Sequence, residues 1–165
     1  MCIRDRYYAN LGDNKFVLPG RLRVEVMGLK NNSKYAQSIE YLLSLPNVVY
    51  LGPKKYSEIP SLLKACDIGL IPFKKGRLTE FVEKPLKYYE YLAAGLPVVA
   101  TGLAHSDDKS PYLKNLRDPK LFIEAIRKTD IMNSAERIKI SLSVKDSCWK
   151  NVFLRLENFI GKETN

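Results

Sequence analysis

Apolar runs of strand length alternate along this chain with segments whose apolar positions recur at helical spacing. Leu22 to Met27 (LRVEVM) alternates as a half-buried strand does and stops at Gly28. From Ser33 to Leu45 the apolar residues fall at 35, 36, 39, 42 and 43, a helical spacing, with Ser33 placed to cap the first turn. Pro46-Asn47 breaks that helix, and Val48 to Leu51 reads as a short buried strand ended by Gly52. A further helix is predicted over Ser57 to Cys66. Ser57 can cap it, Pro60 falls in the first turn where its missing N–H costs little, and Ile59, Leu62, Leu63 and Cys66 face inward. Ile68 to Phe73 (IGLIPF) is apolar without alternation, as expected of a strand covered on both faces.

Gly76 to Lys84 reads as loop. Pro85 then starts a helix at its favoured first position, and Gly95 ends it as a left-handed C-cap does. On that helix Leu86, Tyr89, Leu92 and Ala93 are predicted to face the core, and Lys87, Glu90, Tyr91 and Ala94 to face away. Val98 to Ala100 is another fully apolar strand, followed after Thr101 by a loop through Asp107, Asp108 and Pro111. Asp118-Pro119 opens a helix to about Lys128, and Ser143 to Ile160 is read as a last helix with apolar positions at 144, 148, 149, 152, 153, 156, 159 and 160.

Strands alternating with helices through short loops imply parallel strands joined by right-handed crossovers, hence an α/β fold with a Rossmann-like, doubly wound parallel sheet. About four strands are legible where a Rossmann half usually has six, so the first strand is expected before residue 7 and the chain is expected to be truncated at its N-terminus. Met1 to Arg6 resembles an adaptor read-through scar. The expected organisation is therefore a non-native leader over 1–6 and one domain over 7–165.

Composition fits one ordinary domain able to bury a core: 165 residues, 45% hydrophobic and 27% charged. No apolar run approaches the roughly 20 residues that cross a bilayer, and no secretory signal opens the sequence, so a cytoplasmic location is the default. The net charge of +9 can attract nucleic acid, anionic lipid or phosphorylated small molecules. The cations are spread out, with local clusters only at Lys74-Lys75-Arg77 and Lys84–Lys87, and no recognition helix, zinc spacing or aromatic-basic RNA motif accompanies them. Nucleic acid is therefore not an expected partner, although a basic module for nucleic acid or a membrane surface is the alternative from another functional class. Cys2, Cys66 and Cys148 lack metal-ligand or CxxC spacing and read as reduced thiols. His105, the only histidine, has no nucleophile motif beside it and reads as a loop residue.

In an open parallel sheet the ligand sits beyond the carboxyl ends of the strands. Of the loops there, the one after Phe73 is the richest: Lys74, Lys75, Arg77, Glu83 and Lys84 lead straight into the helix at Pro85. A helix N-terminus offers unpaired N–H groups and partial positive charge to a phosphate, and Lys84 and Lys87 strengthen that attraction. Glu90, one turn further on, has two acceptor oxygens that can take both hydroxyls of a ribose. The alternative for Lys87 and Glu90 is a surface ion pair worth only a few tenths of a kcal/mol.

The wording of the segment adds a resemblance. Asn47-Val-Val-Tyr-Leu-Gly52, Tyr56-Ser-Glu-Ile-Pro60 and Asp67-Ile-Gly-Leu-Ile-Pro-Phe73 look like the second half of group 1 glycosyltransferases, family 4 and its relatives. Pro85-Leu-Lys-Tyr-Tyr-Glu-Tyr-Leu-Ala-Ala-Gly-Leu-Pro-Val-Val-Ala-Thr101 is similar to their P-x-K-x-x-E-Y-x-x-x-G-x-P-V-V pattern in order and spacing. Ser147-Cys-Trp149 sits where members often carry a tryptophan in the closing helix. The resemblance implies one half of a GT-B fold, the half that binds a nucleotide diphosphate sugar for hexosyl transfer to an acceptor hydroxyl with retention. It implies donor-binding positions at Glu83, Lys84, Pro85, Lys87, Glu90 and Tyr91, with Glu90 on the ribose. The acceptor site is expected in an N-terminal half absent from this chain, which by itself is expected to be inactive, and contact with the inner membrane face is a further expectation. With no Asp-x-Asp motif, no cofactor and no metal are expected. A GT-B nucleotide-sugar 2-epimerase is the alternative enzyme. One departure stands out: the family's two glutamates have seven residues between them, so counting back from Glu90 the first falls on Val82, Glu83 is one residue late and the catalytic residue stays unassigned.

Overall fold

The computed structural model describes residues 24–27, 40–73 except 42 and 47, 81–104 except 83, and 110–163 except 117. Strand β1 (Val24–Met27) pairs in parallel with β2 (Val48–Gly52), with an irregularity between Val26 and Met27. Strands β3 (Gly69–Pro72), β4 (Val98–Thr101) and β5 (Leu113–Leu116) form a second parallel sheet in sequence order. Gly69, Val98 and Leu113 align at its amino end; Pro72, Thr101 and Leu116 align at its carboxyl end.

Period-two alternation sorts the side chains of this sheet onto two covered faces. Ile71, Val98 and Ala100 point into the larger core with Phe73, where helix α1 (Ile59–Lys64) contributes Leu63 and helix α2 (Leu86–Ala93) contributes Tyr88, Tyr91 and Leu92. Ile140 of helix α4 (Ser134–Leu142) closes that core over α2. On the opposite face Val99 packs with Phe122 and Ile126 of helix α3 (Pro119–Arg127), flanked by Ile68, Leu70 and Leu116. Helices on both faces of parallel strands make this the α/β, Rossmann-like arrangement that the alternation predicts.

The helix ends show how the chain is set locally. Asp118 caps α3 by accepting from the Lys120 N–H at 2.8 Å. Gly95, at φ +78°, ends α2 in a Schellman turn: Leu96 N–H donates to Tyr91 C=O (3.0 Å) and Gly95 N–H to Leu92 C=O (2.8 Å). Arg137 of α4 then joins two helix ends. Its guanidinium donates to the carbonyls of Lys64 (3.0 Å) and Cys66 (2.9 Å) after α1, and to Ala94 (3.4 Å) after α2.

Several expectations need correction. The helix predicted over Ser57–Cys66 is a 3-10 turn, Tyr56–Glu58, running into α1, and Ser57 does not cap it. The Glu58 carboxylate takes that role by accepting from the Lys55 N–H at 2.8 Å. Strand β5 occupies part of the predicted loop. It is four residues long and carries polar Lys114 and Asn115, too little for a periodic signal. Helix α4 is an addition to the predicted elements: Asn133 and Glu136 form a capping box at its start, with reciprocal bonds of 3.0 and 2.9 Å. The last helix, α5 (Trp149–Glu163), begins only after a 3-10 turn at Lys145–Ser147 and an extended Cys148. Glu40, Tyr41, Leu43 and Ser44 are helical, as predicted; the start of that helix, Ser33 included, lies outside the described residues.

Candidate functional site

Helix α2 joins two parallel strands, so it runs back along the sheet and its first turn lies at the carboxyl ends of β3 and β4. Those ends are tied together. Thr101 Oγ1 donates to Phe73 C=O (2.8 Å), Phe73 N–H donates to Thr101 C=O (3.2 Å), and Ala104 N–H donates to Val82 C=O (3.0 Å). The loop before α2 and the loop after β4 are thereby held side by side. Pro85 is the N-cap of α2 rather than its first residue, with extended dihedrals (φ −64°, ψ 156°) and no side-chain cap. Tyr88 N–H donates back to Pro85 C=O at 2.8 Å, closing the first turn.

The faces of α2 are turned from those predicted. Leu92 is buried and Tyr89 packs against the core, as predicted, but Tyr88 and Tyr91 are buried too, whereas Leu86 is 60% exposed and Ala93 faces solvent. The reason lies in β3: Gly69 has no side chain, and the Tyr91 ring occupies the place where a Cβ would stand. That socket lets the Tyr91 ring lie directly on the backbone of β3, where an aromatic side chain gains much from burial. Tyr91 is 0% exposed, so its side chain packs the core and presents nothing to a ligand.

Lys87 and Glu90 both flank the buried stripe and are half-buried. Successive residues turn by about 100°, which puts the two on the same edge of the helix. They do not pair: Glu90 forms no ion pair or side-chain hydrogen bond with a described residue. Lys84 is exposed, with its Nζ 5.9 Å from the Tyr88 ring centroid. It lines a shallow cleft of about 260 Å³ on the Tyr89 side of α2, closed by Ser110–Tyr112 and by Ser143, Val144 and Ser147. Lys87 and Glu90 are not in that cleft, so the predicted donor residues divide between the two flanks of one helix end. Val82, at the family's spacing for a glutamate, is partly buried against the core. Glu83, Lys74, Lys75, Arg77 and His105 lie outside the described residues. Among the described residues no group of three or more His, Cys, Asp and Glu side chains could hold a metal.

Residues 15–129 match the family described as "Glycosyl transferases group 1". The chain belongs to that family. Its parallel sheet with helices on both faces is accordingly the Rossmann-like half of a GT-B glycosyltransferase. The glycosyltransferase chain is also 35% identical, over 102 residues, to a Bacillus subtilis (strain 168) protein described as "Putative teichuronic acid biosynthesis glycosyltransferase TuaH". That match covers 61% of this chain and 24% of the relative, so the chain spans well under half of the relative's length.

Proposed function

We propose that this glycosyltransferase chain binds a nucleotide diphosphate sugar and serves transfer of its hexosyl unit to an acceptor hydroxyl. The diphosphate lies at the first turn of α2, drawn by the uncapped helix N-terminus and by Lys84 and Lys87, with Pro85 beside it. Glu90 accepts the ribose hydroxyls. The observation that carries this assignment is Glu90 itself, half-buried one turn in from the N-terminus and without a described partner for its carboxylate. A partly desolvated carboxylate is costly to leave unsatisfied, and a diol supplies two donors at once.

In the reaction the bond between the sugar C1 and the diphosphate oxygen breaks, the acceptor oxygen bonds to C1, and its proton is released. The departing diphosphate gains negative charge, which cationic side chains and helix N–H groups stabilise in the role a metal fills elsewhere. Acceptor recognition belongs to a further half of the full enzyme, and a growing saccharide held at a membrane face is the proposed acceptor. Calorimetry with UDP and GDP tests the donor assignment. The wild-type chain binds one of them, and Glu90→Ala weakens that binding by about 1.5–3 kcal/mol, the range for a hydrogen bond to a charged group. Equal affinity in the variant would overturn the role of Glu90; no binding of either nucleotide by the wild type would overturn the donor site.

A further inference from the structure

Asn115 is a polar residue where the fold offers an apolar place. It lies on β5 beside Ala100 of β4, which puts its half-buried side chain on the α2 side of the sheet, where Val98 and Ala100 join the larger core. Its amide Nδ2 donates to Leu103 C=O at 3.3 Å. The N–H of that same peptide group, which belongs to Ala104, donates to Val82 C=O at 3.0 Å. Asn115, one peptide plane between two buried residues, and Val82 thus stand in a continuous line across three segments that are far apart in sequence. A peptide group is rigid, so a donor that fixes its C=O also fixes where its N–H points, and the two bonds polarise each other.

We propose that Asn115 is a positioning residue for the first turn of α2, acting through the Leu103–Ala104 peptide and Val82 and not by contact with the ligand. Val82 lies three residues before the N-cap Pro85, so little chain separates it from Lys84 and from the free N–H groups of that turn. Thr101 holds the other end of the connection between β3 and α2. Its C=O accepts from Phe73 N–H (3.2 Å) and its Oγ1 donates to Phe73 C=O (2.8 Å), so both ends of that connection rest on residues 101–104. A leucine at 115 would fill the same space but leave the Leu103 carbonyl without this donor. The value of the arrangement to a ligand rests on the donor site assigned above, since preorganised binding groups need a fixed support behind them.

Asn115→Leu removes the donor at similar volume, and Asn115→Asp keeps the shape while replacing the donor with an acceptor. Exchange of the Ala104 N–H, followed by NMR, needs no ligand and is expected to be at least about fivefold faster in both variants. Calorimetry with whichever of UDP and GDP the wild type binds is expected to show roughly three- to tenfold weaker binding, the equivalent of one hydrogen bond. Thr101→Val is expected to weaken binding likewise, and Thr101→Ser, which keeps the hydroxyl, to restore it. Arg137→Met removes bonds at the opposite end of α2 and is expected to lower stability while leaving affinity as it was. Unchanged Ala104 exchange in both Asn115 variants would overturn the link to Val82. Faster exchange with unchanged affinity would overturn the positioning role, as would an equal loss of affinity in Arg137→Met. A wild-type chain that binds neither nucleotide would overturn the donor site instead, with Ala104 exchange still deciding the link to Val82.

Discussion

Gly95→Ala separates two reasons for a glycine at the end of α2. The backbone there has φ +78°, a left-handed conformation that costs an L-residue roughly 1–2 kcal/mol. An added Cβ would also stand 2.7 Å from the Arg137 carbonyl oxygen and 2.9 Å from the Arg137 Cβ. Neither atom is the end of a flexible side chain, so α4 itself has to move, and overpacking of this kind costs about 1–3 kcal/mol more. The sum is a loss of about 2–5 kcal/mol. Gly52→Ala is the internal comparison. Its φ is +71°, but a Cβ there meets no atom of a described residue within 4 Å, so only the backbone cost of roughly 1–2 kcal/mol applies. The reduced freedom of the unfolded chain is common to both variants and cancels in the difference. Urea unfolding of the two variants and the wild type reads this out as a shift in midpoint at constant slope. Equal losses for the two glycines would refute the packing argument.

Arg137→Met removes three hydrogen bonds to helix-end carbonyls from a guanidinium whose side chain is only 22% exposed, and is expected to cost about 2–4 kcal/mol by urea unfolding. Arg137→Lys should recover less than half of that, since a point charge cannot span both helix ends; full recovery would show that charge alone matters. On α3, a hydrogen bond from Lys128 and its positive charge hold the Glu124 carboxyl below its ordinary range. A depressed folded value means the pair's contribution is present above the unfolded value and fades as pH falls through the folded one. Lys128→Ala should therefore raise the Glu124 titration midpoint seen by NMR while leaving stability at neutral pH nearly unchanged, because both side chains are exposed. An unmoved midpoint would count against the pair.

Much of the fold was legible because strands and helix ends depend on few residues. IGLIPF and VVA read as strands covered on both faces, and Gly95 and Asp118 announced their helix ends through local backbone chemistry. The resemblance carried by Pro85 to Thr101 likewise needs only order and spacing, and the family match agrees with it. Helix α4 was readable too, from the Asn133–Glu136 box, whereas four-residue β5 carried no period to read.

Which face each helix buries was decided elsewhere, by contacts between residues far apart in sequence. The pattern of α2 allowed Leu86 and Ala93 inside, whereas the structure seats the Tyr91 ring in the place a Cβ would take at Gly69 of β3. Lys87 and Glu90 then stand on one edge, and Lys84 in the cleft on the other flank. The apolar stripe of α5 was equally visible as spacing, but that Trp149, Phe153 and Phe159 stay exposed is a fact of the structure alone. Periodicity along a chain determines that a helix has an apolar side. Only the tertiary structure decides what that side meets, because a helix can be rotated or turned over without changing any local interaction along it.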